Sequence, residues 1–263
     1  MQPLIDSDLL CYEIGFATQK KDENGDIHPS PVEEVNQLID NRIKEICAAV
    51  YATEKPRLFL TGKGNFRYEI AKRREYKGNR KQIKPFHYKY IRAYLCSQWD
   101  AEIVDGMEAD DAMAIAQTER IEQRDTIICS RDKDLRIVPG YGYGWEAGKQ
   151  GSWGPHWIDE MGTLELKGPK KLIGTGLKFF YSQLLTGDST DCYDGLPGCG
   201  PIRAYEVLKG CKTEQELYQA VLSAYQAKFP EEAVAMIEEQ AHLAWMVRAK
   251  DEEGNLIHWR API

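Results

Sequence analysis

The sequence predicts an α/β protein built on a mainly parallel central sheet with helices on both faces, and three observations carry that prediction. Short apolar runs alternate with segments whose apolar residues recur every three or four positions, the order expected of strands joined by crossover helices. Each short run ends in polar or acidic residues, as strands do where they leave a sheet for its functional edge. No internal repeat and no low-complexity tract breaks the alternation.

Taken in order, Leu4-Ile5-Asp6-Ser7-Asp8 reads as the end of a buried first strand running into acids. Lys20 to Ser30 reads as a polar loop with a turn at Asn24-Gly25. Val32, Val35, Leu38, Ile39, Ile43, Ile46 and Val50 keep helical spacing and predict a long helix that Pro56 follows. Arg57 to Leu60 is a second strand opening into Thr61-Gly62-Lys63-Gly64-Asn65, and Ala101 to Val104 a third. Glu108-Ala109-Asp110-Asp111 opens an alanine-rich helix to about Gln123, and Thr126 to Cys129 is a fourth strand ending in Ser130-Arg131-Asp132-Lys133-Asp134. Residues 140–170 read as a loop or hairpin with a short strand at Leu164–Leu166. From residue 177 the pattern is helical, which divides the chain into a core over 1–176 and a helical region over 177–263.

The chain has 263 residues, 43% of them apolar, and a net charge of −7. Seven scattered cysteines with no C-x-x-C pair predict free thiols and a reducing, cytoplasmic setting. The five histidines show no ligand spacing. No apolar run approaches the ~18 residues of a membrane span, so no membrane partner is expected. The charge is unevenly placed. Residues 63–92 hold eleven Lys and Arg against Glu69 and Glu75, a net +9, which leaves −16 for the remainder. A basic band on an acidic body suits a phosphate-bearing partner; a solvated helix face is the plainer alternative.

The acids carry the chemistry. Asp6, Asp8, Glu108, Asp110, Asp111, Asp132, Asp134, Asp188 and Asp191 occur in clusters read as having no compensating basic residues beside them. Carboxylates without histidine suit Mg²⁺ or Mn²⁺, and two such ions about 4 Å apart can activate water against a phosphodiester. The last cluster lies in Gly187-Asp188-Ser189-Thr190-Asp191, ahead of a Gly195-Leu196-Pro197-Gly198-Cys199-Gly200 turn between two helical runs. Asp188 and Asp191, three apart, share a face if the turn is helical, and the helix after Gly200 offers a phosphate its N-terminal amides. Singly, each cluster has a structural alternative: Glu108 to Asp111 as a helix cap, Asp132-Lys133-Asp134 as a turn.

In order and spacing these motifs, with Asp6-Ser7-Asp8 and Tyr76-Lys77-Gly78-Asn79-Arg80, resemble the 5′–3′ exonuclease and flap endonuclease family. The nearest likeness is to replication exonucleases of short-tailed bacteriophages, over about residues 4–210, and the closing Trp259-Arg260-Ala261-Pro262 is also similar to those members. The resemblance implies a PIN-like nuclease fold with a helical arch over 63–95 and a C-terminal helix–three-turn–helix element. It implies that Asp6, Glu108, Asp110 and Asp111 bind a first metal ion, that Asp188 and Asp191 bind a second, and that Asp132 and Asp134 stand between them. It further implies that Lys77 and Arg80 meet the scissile phosphate with help from Arg67. Lys72, Arg73, Lys81 and Lys84, with the Gly195, Gly198 and Gly200 turn, would grip DNA, the turn around K⁺.

The implied activity is metal-dependent hydrolysis from 5′ ends of duplex DNA, extending to flaps, RNA primers and RNA–DNA hybrids, by a monomer working beside replication proteins. Two alternatives are a catalytically silent DNA-junction binder and an RNase H-like primer-removing nuclease. One departure stands out. The family places an acid after the second strand, where this chain has Thr61-Gly62. That absence predicts one weaker metal region, which an acid at position 62 would restore.

Overall fold

The computed structural model describes residues 1–79, 83–168 and 171–262. The chain divides into two compact units, one comprising residues 1–64, 81–132 and 140–156 and the other residues 65–80, 133–139 and 157–263.

The first unit is organised by a six-stranded sheet. Its strands are β1 (Gln2–Asp6), β4 (Arg57–Thr61), β5 (Glu102–Val104), β6 (Thr126–Cys129), β7 (Gly140–Gly144) and β8 (Trp153–Ile158), in the order β5-β4-β1-β6-β7-β8. The pairs β1–β4, β1–β6, β4–β5 and β6–β7 are all parallel. Parallel pairing requires crossovers, and those leading to β4, β5 and β6 run through α1 (Ser7–Ala17), α2 (Val32–Ala49), α4 (Tyr88–Trp99) and α5 (Ala109–Glu119). Val35, Ile39, Ile43 and Ile46 of α2 are fully buried with Ile5, Leu58, Leu60 and Ile127 of the strands. Burying each such side chain contributes about 1.5–3 kcal/mol, so this stripe fixes how the helix lies on the sheet.

The loop expected over 20–30 is a small hairpin, β2 (Gln19–Lys21) with β3 (Ile27–Pro29), and Gly25 takes the positive φ of its turn. Within the 140–170 segment, read as a loop or hairpin, the consecutive strands β7 and β8 are neighbours in the sheet, and the unforeseen feature is that β7 also pairs in parallel with β6. The Gly-Tyr-Gly-Tyr-Gly sequence of β7 alternates the poorest strand former with a good one. Glycine is tolerated because the neighbours press close: a Cβ on Gly144 would lie 3.1 Å from the Ser130 carbonyl.

The second unit is helical. It contains α3 (Arg67–Ile70), a 3₁₀ turn at Asp134–Ile137, the hairpin of β9 (Leu164–Leu166) and β10 (Leu172–Gly174), and then α6 (Gly176–Thr186), α7 (Pro201–Leu208), α8 (Glu214–Gln226) and α9 (Ala233–Ala244). Its centre is aromatic. The Phe180 ring meets Trp245 at 5.0 Å and Trp259 at 6.1 Å, and buried Tyr225 donates to the Leu184 carbonyl at 2.6 Å. Trp259, part of the sequence's closing motif, is thus a core residue of this unit. Within the segment expected to form a helical arch, only Arg67–Ile70 and Tyr88 onward are helical among the described residues.

Candidate functional site

In the first unit the acids gather where a parallel sheet places ligands, at the carboxyl ends of its strands. Asp6 closes β1, Thr61 closes β4, Glu108 follows β5, and Ser130 and Asp132 follow β6. Asp6 is buried and caps α1, accepting from the Leu9 amide at 3.2 Å. Its other oxygen accepts from the Ser130 hydroxyl at 2.7 Å, and that Oγ accepts the Asp132 amide at 3.0 Å. One chain of hydrogen bonds therefore ties the ends of β1 and β6. Burial, then the charges of Asp8 and Asp132, raise the Asp6 carboxyl to about 7, with its hydrogen bonds opposing. A carboxylate raised in this way is short of positive charge.

Glu108 and Asp111 realise the structural alternative raised for them. They form a capping box on α5, the Asp111 carboxylate accepting the Glu108 amide at 3.2 Å. A carboxylate carries lone pairs beyond those one cap uses, so capping and cation binding are compatible. Asp110, between them, is partly exposed.

Asp8 is neutralised. Its carboxylate pairs with Arg92 at 2.9 Å and accepts the Thr61 amide at 2.8 Å. Thr61 Oγ1 in turn accepts the Ala109 amide at 2.9 Å. Thr61 therefore joins α1 to α5 through hydrogen bonds, in the region where the resemblance implies an acid.

Gly62 is not a free place for that acid. A Cβ there would stand 2.1 Å from Asp105 Oδ1 and 2.8 Å from the Val104 carbonyl, and the Asp105 carboxylate holds the Lys63 amide at 2.6 Å. Gly62→Asp therefore carries a structural cost that the sequence reading did not include. The variant brings a second carboxylate onto Asp105 and a Cβ onto backbone, and should melt several degrees lower, a loss of about 1–3 kcal/mol. Thermal melts of the two metal-free proteins check this, and equal melting temperatures would show that the loop gives way.

The second unit holds the remaining acids. Asp188 and Asp191 lie in a turn closed by a bridge, the Asp188 amide donating to Tyr193 O at 2.9 Å and the Tyr193 amide returning to Asp188 O at 3.1 Å. The turn is not helical, because Gly187 and Gly195, both at positive φ, bring the two sides of the loop together. Asp188 is 5% exposed. One of its oxygens accepts the Thr190 amide at 2.6 Å, and the other is held by the Lys133 ammonium. Burial pushes its carboxyl up, but Lys133 and Thr190 outweigh burial and leave it below the usual range. Asp134 accepts from Gln183 Nε2 at 2.5 Å and lies 3.7 Å from the same ammonium.

Lys77 belongs with this group. Its amide donates to the Asp191 carbonyl at 3.1 Å, and its ammonium lies 3.9 Å from the Asp191 carboxylate and 4.8 Å from the centre of the Tyr76 ring. Its φ of 55° is uncommon for a residue with a side chain. Nearby, Asn79 donates to Ser189 O at 2.7 Å and Arg74 pairs with Asp194. The expectation that the acids lack basic partners is thus corrected: Arg92, Lys133 and Lys77 reach Asp8, Asp188 and Asp191. Arg92 and Lys77 come from distant stretches of chain, and Lys133 was read as part of a turn.

The other expected phosphate and DNA contacts are placed as follows. Arg67 is fully buried and donates to the carbonyls of Leu243 at 3.0 Å and Trp245 at 2.7 Å, so it anchors α3 at the end of α9. Arg73 pairs with Glu232 at 2.9 Å, while the Lys72 and Arg73 amides both reach Glu239 at 2.8 Å. Lys84 stacks its ammonium 4.6 Å from the Tyr88 ring centre. Arg80 and Lys81 lie outside the described residues. In the Gly195–Gly200 turn, Gly195 and Gly198 take positive φ, Gly200 precedes Pro201 at the start of α7, and the Lys228 ammonium donates to the Pro197 carbonyl. Among the described residues no three His, Cys, Asp or Glu side chains are gathered closely enough to hold a metal as they stand. All seven cysteines are free, and no helix among the described residues is long and apolar enough to cross a membrane.

The fold is shared with solved bacteriophage structures. The chain is similar to the 5′-exonuclease of bacteriophage T5 solved with zinc ions (TM-score 0.55, 14% identity, covering 93% of this chain and 99% of that one). It is similar also to the bacteriophage T5 flap endonuclease solved as a pseudo-enzyme–product complex with DNA and metal ions (TM-score 0.51, 14% identity, the same coverage). No protein-family model and no curated protein matches the sequence.

Proposed function

We propose that this chain is a divalent-metal-dependent 5′–3′ exodeoxyribonuclease that hydrolyses phosphodiesters from the 5′ ends of duplex DNA and also cuts flaps and removes RNA primers. One observation carries the reading. Asp6, Glu108 and Asp132 come from separate strand ends to the carboxyl edge of one parallel sheet, and buried Asp6 there is short of positive charge. An all-oxygen donor set fits Mg²⁺ or Mn²⁺. Asp6, Glu108, Asp110, Asp111 and Asp132 would hold one ion, and Asp134, Asp188 and Asp191 the other. Such ions, when bound, supply Lewis-acid activation of water and charge for the leaving oxygen.

The protein's own groups do the rest. Lys77, held in place by the hydrogen bond that its backbone amide donates to the Asp191 carbonyl, brings an ammonium to the scissile phosphate, with Arg80 close to it in sequence. Lys72, Lys84 and the amides at the start of α7 hold the DNA backbone. A potassium ion would be held by the Gly195–Gly200 turn, whose Pro197 carbonyl now accepts from the Lys228 ammonium. The protein would act as a cytoplasmic monomer on DNA alongside replication proteins.

A second reading has its own support. The ion pairs of Asp8, Asp188 and Asp191 and the capping box of Glu108 and Asp111 are what a catalytically silent DNA-junction binder would keep. Incubation with 5′-labelled duplex, flap and RNA–DNA substrates separates the readings. The nuclease releases label with Mg²⁺ and stops with EDTA, and the binder retards each substrate and leaves it whole. Preference for the hybrid over duplex DNA would mark an RNase H-like enzyme.

Lys77 and Lys72 test the assignment further. Lys77→Ala should lower turnover by about 10²-fold with little change in DNA affinity, since its charge acts where charge develops. Lys72→Ala should weaken binding and flatten its salt dependence by about one counterion. Single-turnover rates and salt titrations check both, and a shared salt-curve shift with unchanged turnover would reduce Lys77 to electrostatic attraction.

A further inference from the structure

The Asp134–Asp188 pair already carries a cation of the protein's own. Lys133 opens the 3₁₀ turn Asp134–Ile137 and folds its side chain back, so that its ammonium sits on Asp188 Oδ2 and 3.7 Å from Asp134 Oδ1. The two oxygens of Asp188 are used differently. Oδ1 is committed to the turn through the Thr190 amide at 2.6 Å, whereas Oδ2 meets the ammonium. The Asp188 side chain is 4% exposed and that of Lys133 is 50% exposed. The acid is thus fixed in the interior, while the ammonium reaches it from the solvent side. Rotation about the lysine's side-chain bonds can return it to water without moving the backbone.

We propose that Lys133 is a positioning residue, the resident counter-ion of the Asp134–Asp188 carboxylates, and that a divalent cation binds there by displacing its ammonium. This rests on the reading of Asp188 as a metal ligand. Its physics is exchange of charge. Without metal, removing the ammonium leaves a buried carboxylate uncompensated, which is costly. With metal, the lysine is a competitor whose displacement is subtracted from the affinity. Lys133 therefore stabilises the metal-free protein and weakens its second metal region. That inequality between regions arises from a lysine present, not from an acid missing at Gly62.

The test uses the full chain and Mn²⁺, followed by calorimetry and by thermal melts with and without the ion. Lys133→Met, which keeps length and removes charge, should bind Mn²⁺ about tenfold more tightly at its weaker site. It should also melt lower than wild type without metal and gain more on adding it. Lys133→Arg, which keeps the charge, should stay near wild type on all three measures. Lys133→Gln serves the same comparison if the methionine variant does not fold. Unchanged or weaker Mn²⁺ binding in the uncharged variants overturns the proposal. Asp188→Asn separates the two levels. If it abolishes weak-site binding while Lys133→Met changes nothing, the lysine's role alone is wrong. If Asp188→Asn binds Mn²⁺ like wild type, the metal reading of Asp188 fails and this inference with it.

Discussion

Asp188→Asn is expected to lower turnover on 5′-labelled duplex DNA by about 10³-fold or more while leaving DNA affinity within a few-fold of wild type. The asparagine fits the same space and keeps an oxygen for the Thr190 amide, so the turn bridged to Tyr193 should survive. What disappears is the negative charge at a buried position, and with it a ligand for a cation acting in the transition state. Losing a carboxylate opposite Lys133 also strands an ammonium, but that side chain is half exposed and can turn to water. Fold loss is therefore not the expected cause of inactivity. Single-turnover rates, gel retardation and a thermal melt together check the result. Near-normal turnover would remove Asp188 from the metal-binding set.

The acids at the first unit's edge could be read from the chain because each follows a short apolar run, and strand ends in a parallel sheet point their acids to one edge. Asp6, Glu108 and Asp132 needed nothing more than that rule. The lysine and arginine partners were not legible. Arg92 is separated from Asp8 by 84 residues and Lys77 from Asp191 by more than a hundred, and no local pattern announces such contacts. The arginine of a basic run can likewise be buried, as Arg67 is, when backbone carbonyls take its donors. Propensity failed at β7, where tyrosines alternate with glycines and the sheet's need for a neighbour overrides local preference. Spacing left Asp188 and Asp191 undecided. Three residues apart means one helical face only if the backbone is helical, and two positive-φ glycines with a cross-loop bridge make it something else.

Asp6→Asn should lower activity by at least about 10²-fold and yet stabilise the metal-free protein at pH 8. In the unfolded chain this carboxyl loses its proton near the ordinary 3.8; in the fold it holds it to about 7, chiefly because it is buried and then because Asp8 and Asp132 are near. Between those values the native state binds more protons than the unfolded one, so stability falls as pH rises through the window. Below the window the group is neutral in both states and contributes nothing. Above it the full penalty is present, about 4 kcal/mol if the whole shift is expressed. Asparagine removes that penalty and is as good a cap for the Leu9 amide. A bound divalent cation opposes the same penalty by stabilising the ionised carboxylate, so the pH dependence should flatten when Mg²⁺ is added. Melting temperatures from pH 4 to pH 8 in EDTA should therefore fall for wild type and lose this component in Asp6→Asn. The separation should reach roughly 10 °C at the upper end. Superimposable metal-free curves would show that Asp6 is ionised without cost, and would remove the electrostatic reason for placing a cation beside it.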